Sequence, residues 1–81
     1  MREEPFADVP EQHRAYAIWL SECSDRILIE ETELHVFYAK HFPRSEYGQI
    51  KEKICHRECI ARGLHREYTR IWHNSVGVDI E

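Results

Sequence analysis

Glycine and proline are scarce in this chain, at three each in 81 residues. The three glycines stand apart, so there is no glycine-rich loop to cradle a phosphate. From Glu11 to Phe42 neither residue occurs, and no tight-turn dipeptide interrupts the text. No run approaches the roughly 20 consecutive apolar residues that span a bilayer, so no membrane association is expected. Paired C-x-x-C knuckles are missing, and the three cysteines are an odd number. Met1-Arg2-Glu3-Glu4-Pro5 carries no apolar core of the kind a secretory signal needs. Unpaired thiols without such a signal suggest a reducing, cytoplasmic setting.

What is present describes a small globular chain. A hydrophobic share of 42% beside 32% charged residues is enough to build a core, which argues against disorder. Eighty-one residues make one domain, 1–81, with 1–7 as a flexible lead and 76–81 as a frayed or extended tail. A chain this short buries only about 60% of its unfolded surface, so its stability is marginal. The net charge of −4 is unevenly spread. Residues 1–34 hold three basic and nine acidic side chains, a balance of −6; residues 35–81 hold eight and six, a balance of +2. The overall acidity makes nucleic acid an unfavoured partner, because non-specific binding runs on cationic surface.

Periodicity predicts an all-α fold. From Ser45 to Asn74, Tyr47, Ile50, Ile54, Ala61, Leu64, Tyr68 and Ile71 recur at spacings of three and four, which is one stripe of a long helix. Lys51, Cys55, Cys59, Arg62, Arg66, Arg70 and His73 form a line on the opposite side, read as a solvated basic face. Gly63 either sits within this helix or ends it as a left-handed cap. A helix-turn-helix DNA reader fits poorly, because Glu58 and Arg62 occupy places before the glycine that should be apolar.

Asp8-Val9-Pro10-Glu11 reads as a helix start, with Asp8 as N-cap and Glu11 closing a capping box. His13, Tyr16, Leu20, Cys23 and Ile27 share a stripe that extends through Glu30, Leu34, Phe37 and His41. That makes one helix as far as Phe42, or two with a bend near residues 30–33, where glutamates cluster around Thr32. Ile27-Leu28-Ile29 and Val36-Phe37-Tyr38 also have strand-like composition. Phe42-Pro43-Arg44-Ser45 is the turn, with Ser45 capping the next helix. The expected architecture is an antiparallel helical hairpin, extended to three helices by the bend. Ile18, Ile29 and Val36 fall off the main stripe and need a third helix, a partner or a second copy.

No motif specifies a reaction. Cys55 and Cys59 at i,i+4 can face one zinc ion, but Cys23 and His13, His35 or His41 would have to complete the four ligands. Nothing in the spacing demands this, so no metal or cofactor is expected. Cysteines four apart on a helix are too widely spaced for a disulfide. A Cys/His nucleophile needs a base and an enclosing pocket, and neighbours such as Glu30 and Glu31 point about 100° apart on a helix. The chain is therefore read as non-enzymatic. The expected function is protein–protein interaction, as a small acidic inhibitor or regulator that covers a basic surface. Glu22, Asp25, Glu30, Glu31 and Glu33 are the expected contacts, with Trp19 and Trp72 as aromatic anchors. The alternatives are a nucleic-acid-binding regulatory dimer using an Arg62–Arg66–Arg70 ridge beside Trp72, and a zinc-stabilised module.

Overall fold

The computed structural model describes residues 8–76. They form four α-helices: α1 (Glu11–Glu22), α2 (Asp25–His41), α3 (Glu46–Ala61) and α4 (His65–Val76). No strand occurs among the described residues, so the strand-like triplets at 27–29 and 36–38 lie within α2.

The first arm breaks earlier than the glutamate cluster suggests. Cys23 turns into extended backbone, and Ser24 caps α2 by accepting a hydrogen bond from the Ile27 N–H at 3.3 Å. The expected bend at residues 30–33 does not form. Thr32 is buried mid-helix and donates back to the Leu28 carbonyl at 2.7 Å, so it is not a cap. The expected capping box at the start of α1 is also absent. Pro10 holds the N-cap position without a side-chain bond, and Asp8 pairs with Arg57 on α3.

The expected single helix from Ser45 to Asn74 is two helices. Gly63 adopts φ +74°, donates to the Ile60 carbonyl, and is followed by a Leu64 N–H bonded to the Cys59 carbonyl at 2.7 Å. This paired closure is the Schellman motif, which satisfies carbonyls the helix end would leave bare. Ser45 caps α3 through the Gly48 N–H at 3.2 Å, in agreement with the turn chemistry of the preceding residues. The expected tail from residue 76 begins one residue inside α4; the remainder of that tail and the lead at 1–7 lie outside the described residues.

Helix α3 is the hub, packing against the other three. Contacts with α2 run antiparallel, from Gln49 bonding the Ala39 carbonyl beside the link to Thr32 meeting Cys59 farther along. Contacts with α4 also run antiparallel, from His56 stacked near His65 to Glu52 accepting the Tyr68 hydroxyl. Helix α1 lies along α3 in the same sense: His13 meets Tyr47, Tyr16 meets Cys55, and the Leu20 carbonyl meets Arg62.

Being enclosed in this way widens the buried side of α3, where Ile54 of the apolar stripe stays in the core and Ile50 packs against it. Cys55 and Cys59, expected on a solvated face, are fully buried, while Tyr47, expected in the core, is exposed. Val36, one of the three spare apolar residues, is fully buried on α2, which also packs against α4; Ile18 stays exposed.

Candidate interaction surface

Two polar arrangements organise the molecule, one inside and one at its rim. Inside, Tyr16 donates to Glu31 Oε1 at 2.7 Å, and Cys55 Sγ lies 3.6 Å from the Tyr16 oxygen. Because the Tyr16 proton points to Glu31, the thiol is the donor to that oxygen. Thr32 repeats the pattern: its hydroxyl donates to Leu28, and Cys59 Sγ sits 3.6 Å from its oxygen. Burial pushes the Cys55 thiol up to about 11 and raises Cys59 as well, so both are neutral thiols at physiological pH. A neutral buried thiol is a poor nucleophile and a poor metal ligand. Among the described residues, no group of three or more His, Cys, Asp or Glu is placed to hold a metal ion.

His35 Nε2 lies 3.4 Å from the same Glu31 carboxylate. Burial lowers the His35 pKa, against a raising pull from Glu31 and with a lowering push from Lys51. Burial also raises the Tyr16 hydroxyl pKa, helped by Cys55 and Glu31. This cluster links α1, α2 and α3 through hydrogen bonds gathered on Glu31, with His35 Nδ1 buried and without a hydrogen-bond partner.

At the rim, Arg62 binds Asp25 at 2.8 Å, Glu58 at 2.9 Å, and the carbonyls of Leu20 and Ser21 at 3.0 and 3.2 Å. These carbonyls belong to the α1 C-terminus, so Arg62 closes that helix end while bridging to α2 and α3.

The sequence-derived contact residues are therefore dispersed. Glu22, Glu30 and Glu33 are exposed, Glu30 beside Arg26 at 3.4 Å. Asp25 is committed to Arg62, and Glu31 to Tyr16 and His35. The arginines do not form one ridge. Arg62 belongs to the α3 cap and its side chain is only 18% exposed, whereas Arg66 and Arg70 sit beyond the Gly63 turn on α4. Arg70 pairs with Glu67. Trp72 stacks near Tyr68 and carries the Lys40 ammonium 3.9 Å above its ring.

The structure instead brings together Leu34 and Phe37, which the helical stripe had assigned to the core, with Tyr38 and Phe42. Leu34, Phe37, Tyr38 and Phe42 are 40–55% exposed on α2 and its end. Ring contacts join them to α1: Trp19 to Tyr16, Tyr16 to His35, His35 to Tyr38, and Tyr38 to both Phe37 and Phe42. A groove of about 350 Å³ opens at one end of this row, lined by His35, Tyr38, Phe42, Tyr47 and Gly48. Glu30 and Glu33 border the row on the N-terminal side of α2. A sequence signal for this face exists. Once Ser24 begins a new helix, Leu28, Thr32, Val36 and Ala39 set its inner face, and Leu34 and Phe37 fall outside it.

No helix of the described residues is long and apolar enough to cross a membrane. No family model, curated protein or solved structure matches the chain.

Proposed function

We propose that the chain is a protein–protein interaction module whose working surface is the aromatic row on α2, joined to Trp19 on α1. The carrying observation is the contiguity of that row: Tyr38, Phe37 and Phe42 are all substantially exposed and in ring contact, and exposed Trp19 joins them beneath the surface through Tyr16 and buried His35. Scattered surface hydrophobes are ordinary, but a contiguous aromatic patch with a charged border is the composition of an interface core and rim. Its carboxylates suit a partner with an apolar centre and basic flanks, which is how a small regulator or inhibitor covers a working surface. The free thiols Cys23, Cys55 and Cys59 suit a reducing compartment such as the cytoplasm.

Photo-crosslinking tests this reading. Benzoyl-phenylalanine in place of Phe37 should yield a discrete protein adduct in extracts of the source cells, weakened by salt. The same group in place of Lys53, exposed on α3 away from the aromatic row, should yield none. Equal labelling from both positions would reject the aromatic row as the working surface.

A further inference from the structure

The outward face of α2 has an ordered charge pattern centred on Phe37. Glu30 and Glu33 precede it by seven and four residues; the polar His41, neutral in the formal charge count, and the cation Arg44 follow it by four and seven. Glu33 and His41 therefore lie roughly 6 Å to either side of Phe37 along the helix axis, at 1.5 Å per residue. Glu30 sits a turn farther out on the acidic side. Arg44 stands in the link just beyond the helix, where it lines a surface hollow together with His41. Leu34 occupies the adjoining apolar place, and the Phe37 ring already rests against His41 with centroids 4.2 Å apart.

We infer that the surface this face fits is its own copy: two chains pair through α2 in antiparallel register about a two-fold axis at Phe37. The inference rests on the aromatic row being the working surface. Antiparallel pairing brings Glu33 to the level of the second copy's His41 and Glu30 to the level of the second copy's Arg44, twice by symmetry. Phe37 and Leu34 of both copies meet at the centre. Parallel pairing would set carboxylates against carboxylates, so charge alone selects the antiparallel register. A self-complementary patch of this kind is what a two-fold dimer requires. Arg26 contacts Glu30 within its own helix at 3.4 Å, with both side chains exposed, and such a pair is too weak to keep Glu30 from a second donor. Seventeen residues of α2 span about 25 Å, and one helix pair of that length, with Tyr38 and Trp19 at its edge, buries less than the roughly 800 Å² per partner of a standard interface. The dimer is therefore weak and concentration-dependent.

Sedimentation equilibrium on the full chain tests this. The mass should approach twice 9.8 kDa at about 500 μM and return to a single chain at about 1 μM, and the association should weaken with added salt. Glu30→Lys and Arg44→Glu should each weaken association about tenfold, and the double variant Glu30→Lys/Arg44→Glu should recover most of it, as a swapped charge pair does. All three positions of the test set, Glu30, Phe37 and Arg44, are exposed, and an unchanged far-UV circular dichroism spectrum confirms that each variant folds. A wild-type chain that stays at 9.8 kDa throughout, or a double variant no better than the singles, overturns the inference. The Phe37 crosslink separates the two readings. A monomer that still crosslinks a different protein defeats only the self-pairing; a monomer with no adduct defeats the aromatic row as a working surface as well.

Discussion

Cys55 and Cys59 are held as neutral thiols because burial disfavours the charged thiolate. Each thiol meets an oxygen whose own proton is already committed, Tyr16 to Glu31 and Thr32 to Leu28. Their reactivity should be correspondingly low. Ellman's reagent should label the half-buried Cys23 quickly in the native chain and reach Cys55 and Cys59 only in denaturant. Fast labelling of all three in buffer would contradict the packing. His35 makes the same environment sensitive to pH. Its folded pKa is depressed by burial, so the unfolded chain binds a proton that the folded chain resists. The stability this contributes is present above the unfolded value of about 6.5 and is lost as pH falls below it toward the folded pKa. Urea midpoints should fall between about pH 7 and pH 5, and His35→Gln should flatten that part of the curve. Both properties belong to single residues, and neither is visible in the linear text, where Cys55 and Cys59 sit in a line of Lys and Arg.

At the scale of the element, two short signals divide the chain into four helices rather than two or three. Ser24 ends one apolar stripe and starts another. Replacing it with Ala removes the acceptor for the Ile27 N–H and should cost about 1 kcal/mol, measured by urea unfolding. Gly63 holds a left-handed backbone with nothing within 4 Å of where a Cβ would sit. Gly63→Ala should therefore cost roughly 1–2 kcal/mol from backbone strain alone, without a steric term. A neutral substitution would mean that α3 and α4 readily join into one helix. Ser24 is legible as a capping residue, yet the longer period through Glu30 and Leu34 concealed it. The two stripes on either side of Ser24 happen to continue in phase for several turns.

Across the whole molecule, Arg62 does what no helix does alone. It satisfies the α1 C-terminal carbonyls while binding a carboxylate on α2 and another on α3. Arg62→Ala leaves the half-buried Glu58 and the Ser21 carbonyl without the Arg62 donor, and the Leu20 carbonyl with only the Cys23 N–H, and should cost about 2–3 kcal/mol. Arg62→Lys should rescue little, because a single ammonium cannot serve four acceptors set around a planar fork. Amide exchange should then speed up first at the end of α1. A variant with wild-type stability would show that the four contacts are dispensable.

The sequence by itself determined the class of the fold, the turn at Phe42–Ser45 and the mainly acidic first half. These follow from local rules: helical periodicity, the restriction proline places on its predecessor, and composition. Tertiary structure alone decided that α3 buries its cysteines as well as Ile54 of its apolar stripe. Helix α3 has neighbours on three sides, so its inner surface is chosen by α1, α2 and α4 together, and Cys55 and Cys59 join Ile54 in the core. The same choice turned Leu34, Phe37 and Tyr38 outward and drew Glu31 and Arg62 inward. How much of a helix is buried depends on partners remote in the chain, and no spacing within α3 encodes them.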